Sequence, residues 1–520
     1  MTVNADNQAA VTAFLANPET HGSTEPVEVI ETHISKVFLA GDRAFKLKRA
    51  VDLPYAHFGT PQLRLETCEK EVALNAPNAP GMYLGVRTIT INDMGELSFG
   101  GKGSLVDSVV EMVRFDQDAL FDPMAVAGKL TAPLLSDLAR SIAHIHKAAP
   151  VVRASGGADN IAGVLDINRA GFATSHVFSD AEVDAFDAAF RHRLERHAET
   201  LDARERSRWV RRCHGDLHLR NICMFKGEPT LFDCIDFNDQ IATVDVLYDL
   251  AFLLMDLWHR GFRDFANLVA NRYFDASGSN WGYEVLPFFM AVRAAVRAHV
   301  TATFAEHATE DQERQQRIAR EYFEMGCEIL NARPAGVLAI CGLSGSGKTT
   351  VAAALAPEFG APPGARIVSS DRTRKATLGF PAENALPEEA YRTEVSDEVY
   401  RQVAATTASL ATSGASAIAE AVFDRAERRK ALEIAVAEQS FTGIWLSANP
   451  NTLKRRVEDR PKGISAAGLP VLDKQLKYDI GPQDWNEISS EAPLADIVSS
   501  ILGCTRDSLE GDMSVRINHE

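Results

Sequence analysis

Residues 213–239 read Cys213-His214-Gly215-Asp216-Leu217-His218-Leu219-Arg220-Asn221-Ile222-Cys223, a turn, then Leu231-Phe232-Asp233-Cys234-Ile235-Asp236-Phe237-Asn238-Asp239. An acid, Asp216, stands five residues before an amide, Asn221, and a second acid, Asp236, ends an apolar run. Phosphoryl transfer needs such a set: an acceptor for a hydroxyl's proton and two oxygen ligands for magnesium. Phe225-Lys226-Gly227-Glu228-Pro229 reads as a hairpin turn, which folds the loop carrying Asp216 and Asn221 back onto the strand ending at Asp236. The spacing therefore predicts three chemical groups around one metal-bound nucleotide.

Upstream, residues 27–39 read as a strand, Gly41-Asp42 as a turn and residues 43–48 as the return strand. Alternation puts Phe45 and Leu47 on one face and Ala44, Lys46 and Lys48 on the other. Thr60-Pro61 is a helix start, a capping hydroxyl followed by proline, and that helix carries Glu71 and ends before Pro77. Strand-like runs at 83–91 and 108–115 complete a β-rich lobe, and the first twenty-odd residues make a weak helix at best. Apolar residues at three- and four-residue spacing then predict helices over 134–149, 181–203, 245–260 and 283–307, followed by a polar helix over 310–330.

A lysine strand, a helix with a glutamate, then His-x-Asp-x-x-x-x-Asn and a later acid follow the order of parts in protein-kinase-like enzymes. At His214-Gly215-Asp216 to Asn221 the chain resembles the aminoglycoside phosphotransferase family, which includes choline, homoserine and related small-molecule kinases. Ile235-Asp236-Phe237 resembles that family's metal-binding acid, and residues 245–250 the helix after it. The resemblance implies a two-lobed α+β fold, small lobe 25–115 and helical lobe 116–330. It makes Asp216 the catalytic base, Asn221 and Asp236 the ligands of Mg2+, and Lys46 the grip on the α/β-phosphates of ATP, oriented by Glu71. Lys48, on the same face, is the runner-up for Lys46, and Asp233, placed on the opposite face from Asp236, ranks lower. The chain departs from the pattern in having no Gly-x-Gly-x-x-Gly between Ile30 and Gly41, so backbone amides near residues 35–37 would cover the phosphates. His214 reads as a loop brace. His218 with Cys213 and Cys223 fits no common zinc spacing, and His144 and His146 read as structural.

A second phosphate site lies at Gly342-Leu343-Ser344-Gly345-Ser346-Gly347-Lys348-Thr349, a full match to Gly-x4-Gly-Lys-[Ser/Thr] between an apolar strand, 336–341, and a helix from Thr350 to Ala356. Small residues let backbone N–H groups face phosphates, Lys348 reaches the β/γ-phosphates and Thr349 holds Mg2+. The segment downstream of this loop resembles the small P-loop kinases of the gluconate-, shikimate- and zeta-toxin-like group. That resemblance makes Asp371 the group that binds or deprotonates an acceptor hydroxyl, with Arg374 as an anion ligand beside it. It makes residues 453–460 a lid helix whose Arg456 and Arg460 reach the transferring phosphate. Glu420 stands where the group usually has Asp. Asp371 reads alternatively as a helix cap, and the arginines as a solvated face. AAA-type motors match less well, because no hydrophobic run ends in paired acids. Strands alternating with helices over 336–505 predict an α/β domain with a mostly parallel sheet.

Composition bounds the reading. The chain has 520 residues and a net charge of −17, which opposes nucleic-acid or anionic-membrane partners. Seven cysteines without a Cys-x-x-Cys pair indicate no disulfide framework. The N-terminus lacks a secretory pattern, and the most apolar run, 246–258, is short and contains Asp249 and Asp256, so a cytoplasmic chain is expected. The expected organisation is an extension (1–24), a phosphotransferase-like domain (25–330), a P-loop domain (336–505) and a loose tail (506–520). Together these features predict a bifunctional ATP- and Mg2+-dependent kinase of small-molecule substrates, the first sugar- or amino-sugar-like. One rival makes the P-loop domain an ATP-binding regulatory switch. Another is a toxin-like or nucleic-acid-end kinase, which predicts a basic groove around 366–375 and 454–462.

Overall fold

The computed structural model describes residues 8–517 apart from 33, 54–55, 153–155, 308–310, 333–335, 381, 383, 460–467 and 483, and excludes the side chains of 52, 53, 56, 307, 388 and 506–517. It divides into two compact units, Met1–Asn160 with Leu201–Asp256, and Ile161–Thr200 with Leu257–Glu520.

In the first unit a six-stranded antiparallel sheet runs in the order Glu28–Glu31, Ser35–Ala40, Arg43–Lys48, Ser104–Val113, Tyr83–Ile91, Leu97–Phe99. The predicted strand over 27–39 is two strands. Thr32 turns the chain, its hydroxyl accepting from the Ser35 N–H at 3.0 Å and its own N–H donating to the Ser35 carbonyl at 2.8 Å. A turn made by a threonine hydroxyl carries no Gly or Pro flag, so the apolar run hid it. Alternation along Arg43–Lys48 holds: Phe45 and Leu47 pack with Phe38, Ile89 and Val109 on one face, and Ala44 packs with Leu39, Val110 and Met112 on the other. The helix Gln8–Ala16 closes the first face with Val11 and Leu15, both fully buried. Its Gln8 side chain donates to the Lys48 carbonyl and accepts from the Ala50 N–H, each at 2.8 Å. The residues expected to form a weak helix are thus tied to the lysine strand.

The helix Pro61–Asn75 starts as expected, with Thr60 capping the Leu63 N–H and Pro61 in the first turn, and it buries Cys68 and Glu71 against the second face. The hairpin also forms: Ile222–Phe225 pairs antiparallel with Glu228–Leu231. Its turn residues Lys226 and Gly227 both have positive φ, 53° and 86°, the geometry that matches strand twist. The second strand stops at Leu231 rather than continuing to Asp236. Asp233 takes φ 60°, and the segment leading to Asp236 is irregular.

The second unit holds a five-stranded parallel sheet in the order Arg366–Ser369, Ala417–Glu420, Val337–Cys341, Phe441–Ser447, Asn486–Ser489. Its three inner strands, Ala417–Glu420, Val337–Cys341 and Phe441–Ser447, are mostly apolar and buried, as expected where helices cover both faces of a parallel sheet, whereas the edge strand Asn486–Ser489 is polar and largely exposed. The unit also contains the helices Arg263–Ser277, Leu286–His307 and Gln312–Asn331. Residues 283–306 are long and apolar enough to cross a membrane by length and composition, and 78% of the most apolar window is buried inside the protein. Arg263–Ser277 is hydrogen-bonded to the P-loop sheet's edge. Asn267 donates to the carbonyls of Pro363 and Ala365, and Asn271 accepts from the Ile367 N–H at 2.8 Å.

Candidate active sites

In the first unit Lys46 and Lys48 point from one face of their strand onto Glu71. Lys46 Nζ lies 2.8 Å from Glu71 Oε1 and Lys48 Nζ 2.6 Å from Oε2. Each lysine has a further carboxylate: Lys46 pairs with Asp233, and Lys48 with Asp236 at 2.5 Å. Asp233 and Asp236 therefore reach the same cluster, which corrects their placement on opposite faces. Alternation requires a regular strand, which here ends at Leu231, and the positive φ at Asp233 then turns the chain. The centre of the cluster is buried, Glu71 fully so, while Asp233 stands at its exposed rim. Burial opposes charge on that carboxyl, but the two ammonium groups outweigh it and hold Glu71 well below the usual carboxylate range. Burial lifts Asp236 to about 6, with Lys48 pulling the other way. Burial also disfavours charge on Lys46, yet Asp233 and Glu71 keep it protonated far above neutrality.

The loop 214–221 places Asp216 and Asn221 side by side, Asn221 Nδ2 donating to Asp216 Oδ2 at 2.9 Å. His218 Nε2 lies 3.3 Å from the same oxygen. Two backbone bonds join this loop to the segment bearing Asp236: the Ile235 N–H donates to the His214 carbonyl at 2.9 Å, and the Phe232 N–H to the Asn221 carbonyl at 3.1 Å. His214 is the brace that was expected. Its Nδ1 receives the Asp216 N–H and its Nε2 faces the Phe232 carbonyl at 2.9 Å, an arrangement that needs the neutral ring with hydrogen on Nε2. Burial depresses its pKa accordingly.

Two residues read only as arguments against a membrane span hold this loop from below. Asp249 accepts from the backbone N–H groups of His214 (3.2 Å) and Gly215 (2.7 Å) and lies 3.1 Å from His146 Nε2. Asp256, two turns along the helix Val246–His259, accepts from the Leu219 N–H at 3.0 Å. The signal was present, since acids inside an apolar helix must find partners.

In the second unit the loop 342–349 wraps as the motif requires. Gly342, Gly345 and Gly347 have φ of 137°, 85° and 85°. A Cβ on Gly345 would stand 2.6 Å from the Leu453 carbonyl, so glycine is obligatory there on two counts. Thr349 Oγ1 donates to Glu420 Oε1 at 2.9 Å, bringing together the hydroxyl and the acid at the sheet's carboxyl edge. The Ser346 hydroxyl is buried without a partner among the described residues, and the Ser344 N–H is taken by the Gln475 side chain at 2.8 Å. Lys348 Nζ rests on the Leu343 carbonyl at 3.0 Å. A cavity of about 410 Å3 opens beside the loop, lined by Gly345, Ser346, Gly347, Thr350, Arg456 and Ser490. Arg456 is anchored there on Ser490, 3.0 Å from its hydroxyl and 2.8 Å from its carbonyl. Arg460 lies outside the described residues.

Asp371 sits in the first turn of the helix Ser370–Thr377 and pairs with Lys375 one turn on, at 2.8 Å; Ser369, not Asp371, occupies the cap position. Arg374, expected beside it as an anion ligand, is buried and donates to the Ala390 carbonyl at 2.6 Å. Arg366 and Arg372 both bind Asp275, at 2.7 and 2.9 Å. The cations Arg366, Arg372, Arg374 and Lys375 thus each have a partner inside the unit.

Oxygen donors suit a hard divalent cation in both places. Asn221 gives its Nδ2 to Asp216 and so keeps its Oδ1 beside that carboxylate, while Thr349 and Glu420 offer adjacent oxygens. Each unit thus presents groups suited to phosphate.

Comparison with known proteins makes the chain an ATP-dependent kinase, through family models matched in each of its two parts. Residues 125–289 match the model of the phosphotransferase enzyme family, and residues 337–478 match a model described as an AAA domain. The sequence had ranked AAA motors below small kinases; the strand Ala417–Glu420 ends in one acid followed by Ala421, not in paired acids. Uncharacterized proteins of Mycobacterium tuberculosis and Mycobacterium bovis are 28% identical over 359 residues, covering 67% of this chain and 68% of theirs. Among solved structures, a choline/ethanolamine kinase family protein from Mesorhizobium loti is 14% identical, with a TM-score of 0.40 over 62% of this chain and 95% of that one. A gluconokinase from Sinorhizobium meliloti is 19% identical, with a TM-score of 0.26 over 35% of this chain and 98% of that one.

Proposed function

We propose that the chain is a bifunctional phosphotransferase with two ATP- and magnesium-dependent centres, each acting on a hydroxyl of a small polar metabolite. The observation that carries the reading is the joining of Asp216 and Asn221, side by side, to the segment of Asp236 by two backbone hydrogen bonds, with Lys46 on Glu71 in the same unit. In the first centre Asp216 accepts the proton of the substrate hydroxyl as its oxygen attacks the γ-phosphorus of ATP. Asn221 and Asp236 would hold magnesium, which when bound supplies charge neutralisation to the phosphate oxygens. Lys46, oriented by Glu71, binds the α/β-phosphates.

In the second centre the backbone N–H groups of 342–349 and Lys348 hold the phosphates, and Thr349 with Glu420 would hold the metal. Asp371 receives the acceptor's proton after releasing Lys375, and Arg456 borders the nucleotide. The first substrate is proposed to be sugar- or amino-sugar-like. Asp216→Asn and Lys348→Ala proteins, each assayed for ATP turnover against a panel of sugars, amino alcohols and sugar acids, should each lose a different activity. If Lys348→Ala retains every activity of the parent, the bifunctional reading is lost.

A further inference from the structure

The lysine strand of the first unit carries more charge than a single phosphate grip needs. Lys46 and Lys48 face Glu71, Asp233 and Asp236, two cations against three anions, and they sort into pairs that share only Glu71. We propose that these pairs form an ion-exchange latch. Lys48 occupies on Asp236 the place of the divalent cation, Asp233 occupies on Lys46 the place of a nucleotide phosphate, and the two ligands load together by displacing both. This rests on the first centre being a metal–nucleotide site, and it assigns work to two residues which that reading does not use.

The geometry makes the pairs exclusive. The Lys48 side chain is 1% exposed and that of Asp236 4%, so neither has water to turn to. A cation reaching Asp236 without a nucleotide would leave Lys48 buried with only Glu71. A nucleotide arriving without a cation would meet three carboxylates. Each ligand alone therefore incurs a buried-charge penalty that the other removes, which makes their affinities mutually dependent. Asp233 is the member able to move, with its side chain 43% exposed. Its backbone is nonetheless fixed: its N–H donates to the Tyr83 hydroxyl at 3.1 Å, and the next N–H, of Cys234, donates to Asn75 Oδ1 at 3.0 Å. A non-glycine residue at φ 60° held by two side chains is a placed residue.

The test uses the full chain with the second site silenced by Lys348→Ala. Mn2+ binding is followed by electron paramagnetic resonance and nucleotide binding by a fluorescent ATP analogue, each with and without the other ligand. In this parent protein Mn2+ and nucleotide should tighten each other by about tenfold, a common scale of coupling between two sites. Lys48→Met should tighten Mn2+ binding in the absence of nucleotide. Asp233→Asn, at a half-exposed side chain that leaves the core intact, should tighten nucleotide binding in the presence of EDTA. Both should bring the mutual factor down to about threefold or less. An unchanged factor in Asp233→Asn, or unchanged or weaker Mn2+ binding in a folded Lys48→Met, overturns the latch. If the parent's first site binds neither ligand, the functional reading fails and the latch with it. Binding that is present but indifferent to both substitutions removes the latch alone.

Discussion

In the proposed mechanism Asp216 acts from an exposed loop and Lys46 from a buried ion pair, so their substitutions should differ in what they do to the fold. Asp216 is 40% exposed at its side chain, and its carboxylate meets Asn221 and His218 of its own loop, so Asp216→Asn should leave the melting temperature nearly unchanged. The same substitution should lower turnover of the first activity by roughly 10²–10⁴, the range for a lost general base. Lys46→Met should cost about 10²–10³ in that activity, as for other single charge-stabilising donors. A coupled assay beside a thermal melt checks both. The pairing of Asp216 with Asn221 and of Lys46 with Glu71 was legible because the proposed chemistry demands those residue types at that spacing. Asp233 was misplaced because its position was read from strand alternation, and one positive φ cancels that rule. Asp249 and Asp256 were seen as charges in an apolar helix, but their loop partners lie about thirty-five residues away in sequence and leave no local trace.

The phosphate loop is the element most legible in the sequence, since its motif states its own backbone. Gly345→Ala should abolish tight nucleotide binding at the second centre and spare the first. The φ of 85° is costly for alanine, by about 1–2 kcal/mol, and the Cβ meets the Leu453 carbonyl. Titration of the variant with a fluorescent ATP analogue, with Asp216→Asn as the contrasting protein, would show it. The helices make a different prediction, about acid. Burial lowers both His197, in Asp180–Arg206, and His299, in Leu286–His307, from 6.5 to about 4. Between these values the unfolded chain binds protons that the folded chain refuses, so stability must fall as pH falls from about 6.5 towards 4. The loss is up to about 3 kcal/mol for each histidine. Melts across that interval should show the decline, and His299→Leu should flatten it. Helix boundaries were legible where caps are written in sequence, as at Thr60-Pro61. The strand 27–39 misled because its turn is made by a threonine.

Across the whole molecule, the two matched stretches fall within the parts read from sequence, 25–330 and 336–505, while the compact units divide the chain differently. The helix Arg263–Ser277 lies within the stretch matched to the phosphotransferase family, yet it belongs to the compact unit of the phosphate loop. Asn271 accepts from the Ile367 N–H and from Arg366, and donates to the Ala365 carbonyl. Asn271→Ala should therefore destabilise the second unit by about 1–3 kcal/mol, since it strands buried polar groups. Calorimetry of the full chain would register it as a shift in one transition. Pairings separated by some ninety residues leave no periodicity, which is why the sequence suggested a clean break near 331–335.

Asp275 on the same helix grips Arg366, the first residue of the strand that leads to Asp371, and Arg372 in the helix that follows it. A gene cut at codon 336 to obtain the P-loop domain by itself would discard that clamp and expose two arginines that had been neutralised. The same dependence makes this fusion hard to undo. A P-loop domain that leans on the helix Arg263–Ser277 in this way should be inherited with the chain before it, since recombination at residue 336 would separate the paired charges.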